Sequence, residues 1–285
     1  MTRKSLFHFA LVGLLWGIPY LLMKVAVEDF PPAAVVAGRT LIGASILIPI
    51  AIYRKKFGGA VLGFKYVAFY ALMEMIGPWI LITTAEQKID SGLTGLLVST
   101  VPIFATIITS LRGDHSVWQF KRIFGIIVGF IGLILVVGIE SLSGNSDPLS
   151  IAMVILASMG YAYAVIMVTS NLPLVDGIAI NGLAMAITTV FWAPVAISQW
   201  PSSISLKASL SLIALGVFST AIAFILFFKV IAEIGPARSS LVTYLNTAIA
   251  VVLGVIILKE PLTAGIILGL PLVLIGSYLA SRKTA

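Results

Sequence analysis

The sequence predicts an all-α integral membrane protein of ten transmembrane helices, arranged as two inverted five-helix repeats. Three observations carry that prediction. Of the 285 residues, 60% are hydrophobic and only 10% are charged, against about 25% charge in a soluble domain. Mean hydropathy is +1.12, so lipid is the expected solvent. Charge-free runs, each close to the roughly 20 residues a span needs, follow one another along the whole chain, and the second half echoes the first.

The expected spans are 6–27, 33–53, 64–83, 91–111, 119–138, 149–169, 177–198, 208–230, 237–257 and 262–280. Turn chemistry or charge separates them: Pro31-Pro32, Arg54–Gly59, Lys88–Asp90, Arg112–His115, Gly144–Pro148, Pro173–Asp176, Pro201–Ser205, Gly235-Pro236 and Lys259–Pro261. The first run, Ser5 to Met23 behind Arg3 and Lys4, is too long for a signal-peptide core and is expected to be a retained span. Little chain is left for a soluble catalytic or nucleotide-binding domain.

Basic residues set the expected orientation. With the N-terminus inside, the inner side collects Arg3, Lys4, Arg54, Lys55, Lys56, Lys65, Arg112, Lys121, Arg122, Lys229, Arg238, Arg282 and Lys283; the outer side collects Lys88, Lys207 and Lys259. Both termini are therefore expected in the cytoplasm. The net charge of +7 reports this asymmetry rather than nucleic-acid binding. With no cysteine in the chain, neither a disulfide framework nor a thiolate metal site can form.

The repeat comprises residues 1–140 and 148–285. A shift of 144 lays Gly125 on Gly269, Gly132 on Gly276 and Pro102 opposite Asn246; one residue less aligns Gly17 and Tyr20 with Gly160 and Tyr163. Five spans per copy is an odd number, so the second copy must run inverted through the bilayer.

Several residues stand out inside the spans. Pro19, Pro78, Pro102, Pro194 and Pro271 each remove a backbone hydrogen bond and can kink a helix. Three adjoin aromatic or polar groups at the depth of a central cavity: Trp16–Pro19–Tyr20, Pro78-Trp79, and Pro102 facing Asn246 and Tyr244. Trp16, Tyr20, Trp79, Tyr161, Tyr163 and Tyr244 are candidate cavity aromatics, whereas Trp118, Trp200, Tyr53 and Tyr278 are expected in the interfacial belts. Ser99, Thr100, Asn181, Thr188, Thr243, Asn246 and Thr247 supply uncharged hydrogen-bonding groups. Glu74 is the carboxylate expected near a span centre; it could carry a coupling proton, bind an ammonium, or serve as a protonated structural group. Lys24 and Arg39 are expected to snorkel outward, pairing with Glu28 or Asp29. The pairs Gly13–Gly17, Gly125–Gly129 and Gly265–Gly269 permit close helix approach within one chain.

Other chemistries find little support. Gly58–Gly63 is followed by Phe64 where a phosphate loop needs lysine. His8 and His115 are far apart and near the expected inner surface, and no HExxH or paired aspartate suggests a membrane-embedded enzyme. No charged rings or carbonyl filter sequence suggest a channel. No catalytic residue, metal or cofactor is expected.

The second half contains "SSLVTYLNTAIAVVLGVIILKEPLTAGIILGLPLVLIGSYLAS", with the turn Leu258–Thr263 before its last span; the first reads "GLLVSTVPIFATIITSLRGDHS", then "RIFGIIVGFIGLILVVG". In these stretches the chain resembles the EamA-like ten-span branch of the drug/metabolite transporter superfamily. It departs at Asn246, where many relatives carry proline, and at Asp114-His115, which stands in for the acidic turn. The "LLWGIPY" and "MEMIGPWILI" segments resemble exporters of aromatic amino acids of the YddG type. That resemblance implies a secondary transporter of the bacterial inner membrane that exports small amphipathic metabolites by alternating access. Aromatic and other apolar amino acids are the preferred substrates; drug cations, other amino acids and nucleotide sugars are the alternatives within the fold. The implied cavity residues are Trp16, Pro19, Tyr20, Glu74, Pro78, Trp79, Ser99, Pro102, Tyr163, Tyr244 and Asn246. The expected partners are the small-molecule substrate and the lipid bilayer, with no nucleic acid, and a monomer would suffice.

Overall fold

The computed structural model describes residues 2–113, 119–142, 147–235, 239 and 241–281. The Asp114-His115 turn, Trp118, Gly144, Pro236, Arg238, Arg282 and Lys283 lie outside the described residues, as does the Glu140 side chain. Within them the chain is helical and forms no strand. Helices α1 (Arg3–Ala26), α2 (Pro32–Tyr53), α3 (Phe64–Ala85), α4 (Ser91–Leu111), α5 (Phe120–Leu142) and α6 (Pro148–Asn171) are followed by α7 (Gly177–Ser198), α8 (Leu206–Ile234), α9 (Val242–Leu258) and α10 (Ala264–Ser281). Among the described residues, α1–α4 and α6–α8 are seven helices long and apolar enough to cross a membrane, and α9 and α10 are shorter apolar helices. Leu41, Ile52, Ile127, Leu156, Val190, Ile213 and Ile267 point outward and are at least half exposed, an arrangement that only lipid makes favourable.

Local chemistry starts these helices. Thr2 caps α1 through Ser5 N, Asp147 caps α6 through Ser150 N, and Asp176 caps α7 through Ile178 N and Ala179 N. Ser205 caps α8 through Ala208 N, and Pro32 opens α2 behind Pro31. Helix α4 has no such residue of its own. Its first donors are met from the far half of the chain: Glu260 accepts from Ser91 N (2.7 Å), Ser91 Oγ (2.9 Å) and Gly92 N (3.0 Å). Lys259, held at φ 60 in the left-handed region, ends α9 and turns the chain just before that carboxylate.

Two features escape sequence patterning. A short helix, Phe57–Leu62, occupies part of the expected loop before α3. Three helices also widen locally into π-helix, at Leu72–Ile76 in α3, Leu215–Ile222 in α8 and Gly254–Leu258 in α9. In α3 the cause is visible. Pro78 has no N–H for the Glu74 carbonyl, and the turn widens so that Gly77 N donates to Leu72 O. The Ile76 carbonyl in the same turn accepts from Trp192 Nε1 at 3.1 Å.

Packing follows one rule. Helix α2 lies on α7 and α5 on α10; α1 packs on α9 and α4 on α6; α1 meets α8 as α3 meets α6; α2 meets α8 as α3 meets α7. Each of these contacts recurs when five is added to or subtracted from both helix numbers, while α4 also packs on α10 and on α1. Glycines let the mates approach. A Cβ at Gly276 would strike Gly129, one at Gly132 would lie 2.7 Å from Val273 N, and these two contacts exchange under a shift of 144. Gly13 and Gly17 face Leu245 and Ile249 of α9, so the small-residue pairs serve packing within the chain.

Candidate functional site

Helices α1–α4 and α6–α9 leave a cavity of about 710 Å³ between them, within the roughly 300–1,000 Å³ usual for small-molecule sites. It runs from Met23 and Ile82 down to Leu172, Pro173, Val175 and Ile231, and opens at the end of the bundle where α1 begins. At the opposite end it stops at the buried side chains of Met23 and Ile82, each 3% exposed, which close it.

Its walls repeat. Trp16 and Tyr161, Tyr20 and Val165, Met23 and Val168, Glu74 and Ser219, Trp79 and Phe224, Ile82 and Phe227, Val98 and Thr243, and Val101 and Asn246 all line it, each pair 145 positions apart. The register differs by one from the 144 that holds for α5 and α10. One residue is about 100° of helix, which changes the face presented. Asn246 therefore lines the cavity opposite Val101, while Pro102 does not. Similarly Tyr20 lines it, but Tyr163 stands at the outer surface, 37% exposed, against Phe69 at 5.9 Å. The position facing inward on α6 is Tyr161.

Of the other expected cavity residues, Trp16, Pro19, Glu74 and Trp79 line the space. Pro78 packs behind it, 3.0 Å from where a Cβ on Gly160 would lie. Ser99 is fully buried and ties helices together: its hydroxyl donates to Leu96 O and its carbonyl accepts from Ser277 Oγ. The carbonyl of Pro102 accepts from Thr106 Oγ1. The Tyr244 ring packs against Tyr278 at 6.2 Å, which places Tyr278 in a ring pair as well as near a helix end.

The lower wall is aromatic. Trp16 meets Phe227 at 4.5 Å and Phe224 edge-on at 5.6 Å, an arrangement that favours planar apolar groups. Polar groups are few and spread along the cavity, with Thr169, Asn181 and Thr243 towards the open end and Arg39 towards the closed one. Tyr70 Oη donates to Asn181 Oδ1 at 3.1 Å. Glu74 Oε2 and Ser219 Oγ, set in the π-widened segments of α3 and α8, are buried with no hydrogen-bond partner.

Arg39 corrects an expectation. Its side chain does not snorkel outward; it turns into the bundle, 6% exposed, and lines the cavity. Nε and Nη2 donate to Thr220 Oγ1 (3.3 and 3.1 Å), Nη1 lies 3.6 Å from Met23 Sδ, and Cζ sits 3.8 Å from the Trp79 ring centroid. Glu28 and Asp29, the expected partners, serve elsewhere: Glu28 meets Lys207 at 3.3 Å, and Asp29 accepts from Ser205 N at 2.8 Å. Lys24 donates to Ile89 O at 2.7 Å. A second buried carboxylate, Glu86, lies under the sealed end with both oxygens unpartnered and no exposed surface. It was unremarkable in the sequence because acids at span ends are ordinarily solvated.

Among the described residues no group of three or more His, Cys, Asp or Glu could hold a metal ion. The bundle and its single-ended cavity define a multi-pass membrane protein built to hold a small solute. The chain belongs to the EamA-like transporter family, which matches residues 3–138 and again 148–282; it is a membrane transporter. It is 28% identical to the transporter YoaV of Bacillus subtilis over 94% of this chain and 93% of that protein. To the inner membrane transporter YedA of Escherichia coli it is 26% identical over 95% and 90%. A solved crystal structure superposes with a TM-score of 0.66 over 98% of each chain at 15% identity, a likeness of fold.

Proposed function

We propose that this protein exports aromatic and other apolar amino acids across a bacterial inner membrane by alternating access, with both termini in the cytoplasm. The observation that carries the proposal is the cavity itself: rich in aromatic side chains, sparsely polar, open at one end and walled by positions 145 apart. The ten helices are read as ten spans and the two matched stretches as inverted repeats, residues 1–140 and 148–285. Contacts that recur on exchanging the halves support that arrangement. A two-fold-related wall can open at either end by rocking one half on the other. With the basic residues counted as above, the open end faces the cytoplasm, as loading for export requires.

An aromatic side chain is held by Trp16, Phe224 and Phe227, and Glu74 receives the ammonium or a coupling proton. The test is uptake of labelled tryptophan, phenylalanine, threonine and a neutral sugar into proteoliposomes, with the pH gradient varied. Saturable, mutually competing uptake of the aromatics is expected. Glu74→Gln should abolish the response to the gradient if Glu74 couples. Movement of a drug cation or sugar phosphate, with no amino acid moved, would refute the substrate assignment.

A further inference from the structure

Arg39 is a buried cation whose surroundings leave it unneutralised. A guanidinium offers five N–H donors in a planar fork and keeps its charge in proteins. Here its acceptors are one hydroxyl oxygen, Thr220 Oγ1, and the weak thioether of Met23. No described carboxylate forms an ion pair with it. Trp79 covers one face at 3.8 Å, which attracts the cation and fixes the plane of the fork. A charge held in the middle of a membrane bundle is expected to pair, and its partner is then functional.

We infer that Arg39 is the carboxylate subsite of the cavity: the α-carboxylate of the transported solute docks on its free donor edge. This rests on the amino-acid reading above and names the group that the reading leaves unassigned. A carboxylate matches the guanidinium fork bidentately. The other charged group lining the space is an acid, Glu74, with an unpartnered oxygen. A site with one cation and one carboxylate suits a zwitterion. A phosphate dianion would lack a second cation and would face Glu74.

The test compares ligands that differ in one charge, using competition for tryptophan uptake and thermal stabilisation of the purified protein. Indole-3-propionate, which keeps the carboxylate, should bind; tryptamine, which lacks it, should bind at least tenfold more weakly than tryptophan. Arg39→Gln should weaken tryptophan at least tenfold and leave tryptamine unchanged, with Arg39→Lys between. Tryptamine binding as tightly as tryptophan, or Arg39→Gln binding tryptophan as the wild type does, overturns the inference while the exporter reading stands. Should Arg39→Gln fail to fold, the wild-type ligand series decides alone. If no amino acid is transported but indole-3-propionate binds in an Arg39-dependent way, the exporter reading fails and the subsite stands. If no carboxylate stabilises the protein, the inference falls whatever is transported.

Discussion

Glu260→Ala tests what holds the sealed end. Glu260 comes from the turn before α10, yet it supplies the N-cap of α4, accepting from two backbone N–H groups and the Ser91 hydroxyl. Hydrogen bonds to a charged group contribute about 1.5–3 kcal/mol each. Loss of a side-chain N-cap costs about 1 kcal/mol where water can take its place. Glu260 is only partly buried, so water recovers much of the loss, and about 2 kcal/mol is the net expected. If that cost falls on the sealed conformation, the open population at this end rises about 30-fold, since 1.4 kcal/mol is tenfold. The chain contains no cysteine, so a single reporter needs no cleared background. Ile89, 1% exposed beside the cap, is a suitable site. Ile89→Cys should react with a membrane-impermeant maleimide slowly alone and about 30-fold faster with Glu260→Ala. Glu260→Gln, which keeps one acceptor oxygen, should fall between. Equal labelling rates together with an unchanged melting temperature would show that the cap does not hold this end.

Trp79→Ala should cut aromatic amino-acid uptake at least tenfold, because it removes both a cavity wall and the ring under Arg39, whereas Tyr163→Ala on the outer face should leave uptake unchanged; transport assays in proteoliposomes separate the two. Gly276→Ala places a methyl group against Gly129 and 2.6 Å from Gly125 O, and overpacking of that kind costs about 1–3 kcal/mol; thermal unfolding should show it. Gly58→Ala, in the short helix with nothing within 4 Å, should cost nothing and stabilise slightly. Ser150 holds the Asp147 carboxyl below its usual range through its hydroxyl and N–H, and Ser205 does the same for Asp29. Carboxylates depressed in the folded state stabilise it above their unfolded values, so stability should fall as pH drops through and below the ordinary carboxylate range. Asp147→Asn with Asp29→Asn should flatten that acid limb, as followed by melting temperature against pH.

The helices were legible because lipid forces a simple pattern: charge-free runs broken by turns, which match α1–α8 within a few residues. The face each helix turns inward was less so. A slip of one or two residues, from 144 or 143 to 145, decides whether Pro102 or Val101, Tyr163 or Tyr161, meets the cavity, and glycine matches alone could not fix it. Arg39 was misplaced because a long cation six residues from a helix start can reach either way; only the Trp79 ring and Thr220 hydroxyl, brought from α3 and α8, show which. The π-widened turns left no periodic signal, although Gly77-Pro78 gave a local cause for one of them.

The 145-residue correspondence is one of position and not of chemistry. Glu74 answers to Ser219 and Arg39 to Ala184, so the first half carries both cavity charges and the second carries none. A pair of identical first halves would set two cations and two carboxylates around one space, where like charges repel and a lone zwitterion satisfies only half of them. Joining two unlike copies in one polypeptide removes that surplus, and each half is then free to mutate without being mirrored. It also gives a bound solute a single orientation relative to the bilayer, which the proposed alternating-access cycle would keep as the two ends of the bundle exchange roles.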